Sequence, residues 1–268
     1  MMVISILGYA SIYAITGALT GLLSGLLGLG GGLIVVPALL YIFHLTHSIP
    51  PDLHMHVAAG SSLAIMIFTG LASIRAHHNI GGILWSVYYR LWPGIVIGTI
   101  AGAVLADHMS THWLKVLFGL FLLFVSINMI SNINITRRAI RPRKWVNRLV
   151  SVLIGFKSGL LGIGGGALVI PYLNYCGVNA QKIPAVSSLC TLTVAVTGTI
   201  AVMITGINEL HLPAYCTGYI YWPAVILIAF PSVFFAPVGA RLTYTLPVKQ
   251  LKYGFVIILL IATFNLLY

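Results

Sequence analysis

Charge is what this chain has least of. Only 6% of its 268 residues are charged, and only Asp52, Asp107 and Glu209 are acidic. Soluble domains are about a quarter charged, so a water-covered globular surface is excluded. None of the three carboxylates falls deep in an apolar run, which removes the buried Asp or Glu relay common in pumps. The ATP-binding P-loop is missing, and the glycine-rich stretches break the G-x-G-x-x-G register with no strand before them. The cysteines, Cys176, Cys190 and Cys216, have no metal-type spacing. Intramembrane catalysis needs a nucleophile with its base, and Ser188 and Cys190 have no His or Asp nearby; no enzyme and no cofactor are expected. Strand-like alternation is lacking, which argues against a barrel. The opening "MMVISILGYA" has no basic n-region, so no cleaved signal peptide is expected.

What is present is grease. The chain is 59% hydrophobic, with a mean hydropathy of +1.04. Several apolar runs are long enough to cross a hydrocarbon core about 30 Å thick, and in lipid such runs must be helical to satisfy their own backbone. The fold class is therefore an all-α membrane protein. The net charge of +11 lies mainly in loops, where span orientation places it. It points to the bilayer as partner and not to nucleic acid.

Glycine is abundant and patterned. "GLLSGLLGLGGGLIVVP" from Gly21 is answered by "GFKSGLLGIGGGALVIP" from Gly155. Further matches follow: "GSSLA" with "VSSLC", Trp92-Pro93 with Trp222-Pro223, "GAVL" with "GARL", and Leu114-Lys115 with Leu251-Lys252. The chain reads as a first repeat over 1–135, a basic cytoplasmic linker over 136–148 and a second repeat over 149–268. Each repeat begins with a glycine-broken segment, Ile4–Leu27 then Leu33–Phe43, and Val150–Leu161 then Ala167–Cys176. Plain spans follow at Met55–Ile74, Trp85–Ala106 and Trp113–Ile133, and at Pro184–Thr205, Tyr215–Phe235 and Leu251–Leu267.

Loop charge tests the topology. If each broken segment crosses once, the basic loops scatter over both sides. If it is a hairpin, the second half is inverted, and Arg75, Arg90, Arg137–Arg148, Lys182, Arg241, Lys249 and Lys252 share one side. The expectation is two inverted-topology repeats, each a glycine-broken helical hairpin plus three transmembrane helices, with both termini outside.

Broken helices of inverted repeats form transporter sites near the midplane. The first N–H groups of a helix lack internal partners, and the peptide dipoles leave about half a positive charge there. Helix starts at Leu33 and Ala167, freed of side chains by Gly28, Gly30, Gly31 and Gly32 and by Gly162, Gly164, Gly165 and Gly166, would make a small-anion cage. Lys157 in an apolar helix reads either as a functional cation or as a side chain snorkelling to the interface. Ser24, Ser158, Ser61, Ser62, Ser187 and Ser188 either donate to the anion or bond back to their own helices. The breaks read either as a site or as tight hairpins. Glycines four apart, at 17, 21 and 25 and at 94, 98 and 102, read as close helix packing.

The paired "SGLLGLGGGLIVVP" and "SGLLGIGGGALVIP" resemble the sulfite exporter TauE/SafE family over nearly the whole chain. The resemblance implies transport of small sulfur-containing anions such as sulfite or sulfonates across the bacterial inner membrane. It carries onto the glycines, Ser24, Ser158, Pro37 and Pro171, but not onto Lys157, which has Leu23 opposite. The partners implied are a small anionic substrate and the lipid bilayer, with a homodimer left open. The competing reading is a divalent metal transporter built on "HLTHSIPPDLHMH" (44–56), whose His44, His47, Asp52, His54 and His56 suit Zn²⁺, Ni²⁺ or Co²⁺ but fit no standard zinc spacing. Single-cysteine labelling should place both termini outside and the 137–148 loop inside; a cytoplasmic C-terminus would overturn the hairpin topology.

Overall fold

The computed structural model describes residues 2–79, 83–130, 143–179, 181–209, 211–242, 256 and 259–264. The chain is a bundle of helices: α1 (Met2–Leu27), α2 (Gly32–Thr46), α3 (His54–Asn79), α4 (Trp85–Asp107), α5 (Thr111–Ile130), α6 (Lys144–Leu161), α7 (Gly166–Tyr175), α8 (Ile183–Thr205) and α9 (Trp222–Leu242). Among the described residues, five segments are long and apolar enough to span a membrane: Pro51–His78, Trp85–Asp107, Thr111–Met129, Ile183–Asn208 and Trp222–Leu242. The chain is a multi-pass membrane protein.

The boundaries differ from expectation in two informative places. α6 starts at Lys144, ahead of Val150, because Lys144, Trp145 and Arg148 are exposed and an interfacial turn keeps basic heads in water. α9 starts at Trp222, past Tyr215, because the intervening residues pair as two short antiparallel strands, β1 (Cys216–Thr217) and β2 (Ile220–Tyr221). Gly218 turns between them with φ 54°. Residues 136–142 of the linker, and most of the span expected at 251–267, lie outside the described residues; 256 and 259–264 are helical.

Helix pairing runs between the halves. α1 lies along α9, and α4 along α6. Both pairs are parallel and close because glycines face backbone. Gly17, Gly21 and Gly25 of α1 sit on Ile228, Ser232 and Ala236 of α9. Gly94, Gly98 and Gly102 of α4 sit on Ser151, Val152 and Phe156 of α6, which returns Gly155 onto Ile95 and Gly159 onto Thr99. Without a hydrophobic drive between helices in lipid, such close backbone approach is what holds them. The glycines four residues apart are therefore packing devices. At the centre α3 and α8 run antiparallel: Gly70 meets Leu192, and the Ser73 and Ser188 hydroxyls lie 2.9 Å apart. Exchange of the halves turns the α1–α9 pairing into α6–α4, and α3–α9 into α8–α4, all of which are present.

The core sits around these crossings. Phe43, Met55, Leu63, Ile65, Met66, Ile95, Phe118, Val194 and Ile228 are wholly buried, while Ile97, Leu120, Ile127, Ile204, Phe230 and Phe234 face outward. Outward grease suits lipid.

Two alanine substitutions should part company. A Cβ at Gly98 would strike the Val152 carbonyl oxygen, so Gly98→Ala should cost about 1–3 kcal/mol. A Cβ at Gly70 would stand 3.6 Å from Leu192 in ordinary contact, so Gly70→Ala should be neutral or stabilise by up to about 1 kcal/mol. Thermal unfolding in detergent checks both; equal effects would refute the packing role.

Candidate functional site

Each glycine break turns the chain back on itself. Gly28, Gly30 and Gly31 take φ of 65°, 81° and 79°, and Gly162 takes 67°. This left-handed backbone favours residues without a Cβ. As a result Gly31 returns to Thr20, and Gly165 to Ile154. Further along the second hairpin, the Tyr172 hydroxyl bonds to Asn147. α2 thus doubles back on α1, and α7 on α6.

The two breaks then meet each other. A Cβ on Gly164 would lie 3.2 Å from the Cα of Gly30. A Cβ on Gly32 would lie 2.8 Å from the Gly162 carbonyl oxygen and 3.0 Å from the Cα of Ile163. The reciprocal contact holds as well: Gly166 faces the Gly28 carbonyl oxygen, and a Cβ there would lie 2.7 Å from the Cα of Leu29. So the carbonyl end of each long helix stands against the start of the opposite short helix. Opposite dipole ends attract, and no side chain could fit between them.

Hydroxyls surround this contact. Ser187 donates across to the Gly28 carbonyl at 2.7 Å, with Thr191 at 3.5 Å from the same oxygen. A Cβ at Gly32 would lie 3.1 Å from the Ser62 Oγ, which is buried and has no hydrogen-bond partner; Thr20 Oγ1, beside Gly31, is in the same condition. The remaining serines have other duties. Ser61 accepts from the Tyr221 N–H at 2.9 Å. Ser158 bonds back to the Ile154 carbonyl at 2.6 Å, and Ser188 to the Pro184 carbonyl at 2.9 Å. Ser24 is buried, and its own carbonyl accepts from the Gly28 N–H at 2.8 Å.

Lys157 is buried at its tip. Its Nζ lies 3.9 Å above the centre of the Phe121 ring on α5 and has no hydrogen-bond partner. An ammonium over a desolvated aromatic face gains about 2 kcal/mol. The sequence-derived set thus divides. The structure brings Gly28, Gly30, Gly32, Gly162, Gly164, Gly166, Ser62 and Ser187 into one contact, and puts Lys157 against α5.

Of the histidines in 44–56, two are tied to backbone. His54 Nε2 is 2.8 Å from the Ile49 carbonyl, and His56 Nε2 is 3.1 Å from those of both Ala106 and Met109. His44 and His47 have ring centres 6.3 Å apart. Among the described residues no three His, Cys, Asp or Glu side chains gather as a metal site.

Sequence reading missed the hairpin of β1 and β2. It wedges above Ser61: the Tyr219 carbonyl fits against Gly60, and the Tyr219 hydroxyl donates to Asp107 at 2.7 Å. The Tyr221 ring meets Phe43 edge-on at 6.0 Å. Burial raises the Tyr219 hydroxyl, with the Asp107 bond adding to it, and pushes the Cys216 thiol up to about 11. Both groups stay neutral near pH 7. The pair Gly206 and Gly218, each tight against backbone, was the available signal.

A family model described as Sulfite exporter TauE/SafE matches residues 13–266. A probable membrane transporter protein of Haemophilus influenzae is 32% identical over 89% of this chain and 90% of its own length. Another, of Methanocaldococcus jannaschii, is 29% identical over 84% of this chain and 83% of its own. A third, of Bacillus subtilis, is 26% identical over 77% and 83%. No solved structure matches this chain.

Ser187→Ala strips a donor from a buried carbonyl and should cost about 1–3 kcal/mol in thermal unfolding. Ser62→Ala removes a hydroxyl that bonds to nothing and should leave the substrate-free protein as stable or more so. The reverse order would refute the assignment of the two serines.

Proposed function

The chain belongs to the sulfite exporter TauE/SafE family, and on that premise we propose that it carries a small sulfur-containing anion, such as sulfite or a sulfonate, outward across the bacterial inner membrane. The protein is a membrane transporter; cargo, direction and site are what the proposal adds. Its halves are inverted repeats, with both termini outside. Support for the inversion comes from register: α1 parallel to α9, α4 parallel to α6, and α3 antiparallel to α8, as two oppositely oriented copies would require.

The anion sits between Gly28–Gly32 and Gly162–Gly166, and it enters when the breaks part. While they touch, the Gly28 and Gly162 carbonyls face the starts of α7 and α2. Parting withdraws those carbonyls, which would repel an anion, and frees backbone N–H groups that attract one. The observation that carries this reading is the reciprocal contact of the two breaks, with the Ser62 hydroxyl buried and unengaged beside it. Ser62 then donates to the anion. Lys157, five residues before Gly162, adds positive charge where the low dielectric lengthens its reach. Outward movement needs no coupling ion, because an inside-negative potential drives an anion out by about 2.3 kcal/mol per charge per 100 mV.

Thermal unfolding of the purified protein with sulfite, sulfate, thiosulfate, taurine, sulfoacetate, chloride and divalent metals tests this. One sulfur oxyanion should stabilise selectively, and Ser62→Ala and Lys157→Ala should weaken that effect. Stabilisation by metals alone would overturn the reading and turn attention to residues 44–56.

A further inference from the structure

A cavity of about 650 Å³ opens between α3 and α9, away from the glycine breaks, lined by Phe68, Leu71, Arg75, Val233, Pro237 and Arg241 among others. Its residues repeat every three or four along both helices, as one helical face demands. Because α3 and α9 ascend together here, Arg75 and Arg241 stand at the same end. Each lies within three residues of the end of its span, at His78 and Leu242. Seven residues of α3 separate Phe68 from Arg75, which is about 10 Å of helix. The cavity is therefore charged at membrane-surface depth and apolar towards the midplane. Its apolar wall is open: Phe68, Leu71 and Val233 are 43%, 52% and 36% exposed.

No carboxylate among the described residues pairs with these two exposed arginines. The one ion pair among the described residues joins His211 and Glu209. Asp52 lies beyond the far end of α3, some 30 Å of helix from Arg75. Asp107 is taken by Tyr219 at 2.7 Å.

We propose that this cavity seats an anionic phospholipid, with its phosphate held between Arg75 and Arg241 and an acyl chain lying along Phe68, Leu71 and Val233. Guanidinium is the side chain best shaped to grip phosphate oxygens in pairs. A soluble anion explains the arginines but not a greasy wall leading from them towards the membrane interior; an amphiphile explains both. The two arginines belong to helices from different halves of the chain, so a bound headgroup clamps one half to the other. Sequence matching sharpens the point: Val104 stands where Arg241 stands in the second half, so the clamp is one-sided.

The test is thermal unfolding of the full chain in detergent, titrated with phosphatidylglycerol, phosphatidylcholine or inorganic phosphate. Phosphatidylglycerol should raise the midpoint by about 5 °C, while the other two should not. The double variant R75Q/R241Q should lose the shift, R75K/R241K should retain much of it, and Arg148→Gln, on exposed α6 surface, should retain all of it. Native mass spectrometry of the folded fraction reads lipid retention directly, should R75Q/R241Q be too unstable to melt cleanly. Retention of the shift in R75Q/R241Q, or its loss in Arg148→Gln, would overturn the site. An equal shift from inorganic phosphate would overturn the lipid as occupant.

Discussion

The structure turns on one contact: the carbonyl end of each long broken helix against the start of the opposite short one. Gly28 faces Gly166, Gly162 faces Gly32, and Gly30 lies on Gly164 between them. A carbonyl or N–H left unpaired in a dry interior costs about 1–3 kcal/mol. Two helices broken in the middle of a membrane would leave several such groups exposed. Facing the breaks towards each other sets the carbonyl end of each long helix against the positive dipole end of a short one, and Ser187 donates to the Gly28 oxygen. Glycine is required because a Cβ at Gly28, Gly32, Gly162, Gly164 or Gly166 would strike backbone, and one at Gly30 would strike the Thr191 side chain.

That contact dictates the arrangement around it. If the breaks are to meet, the halves must interleave instead of standing side by side. α1 therefore lies with α9 and α6 with α4, while α3 and α8 cross beside the breaks. The same glycine chemistry serves twice. In the breaks it permits left-handed turns, and along α1, α4 and α6 it lets helix backbones approach closely.

A contact made of opposed dipole ends also suits movement. It is directional and brief, and it buries little apolar surface, so parting it costs less than opening a core of interlocked side chains. The long glycine-lined pairs α1–α9 and α4–α6 hold far more surface and are suited to move as rigid units. The hairpin of β1 and β2 lies over α3 through the Tyr221–Ser61 and Tyr219–Asp107 bonds. It joins the Ser61 region to the end of α4 and leads directly into α9.

The sequence by itself determined the mainly helical membrane character and the turning-back at the glycines. Hydropathy, composition and the requirement for positive φ are local properties, and Gly28, Gly30, Gly31 and Gly162 display them directly. It also marked Gly17, Gly21, Gly25, Gly94, Gly98 and Gly102 as packing positions, because four-residue spacing is visible in a string. Only the tertiary structure decided which surfaces those glycines touch. It separated Ser187 and Ser188, which reach across to the Gly28 carbonyl and the Ser73 hydroxyl, from Ser158, which bonds within its own helix. It placed Lys157 over Phe121, thirty-six residues earlier in the chain, and gathered Arg75 with Arg241. Such outcomes depend on how helices far apart in sequence rotate against each other, and no periodicity within one helix carries that information.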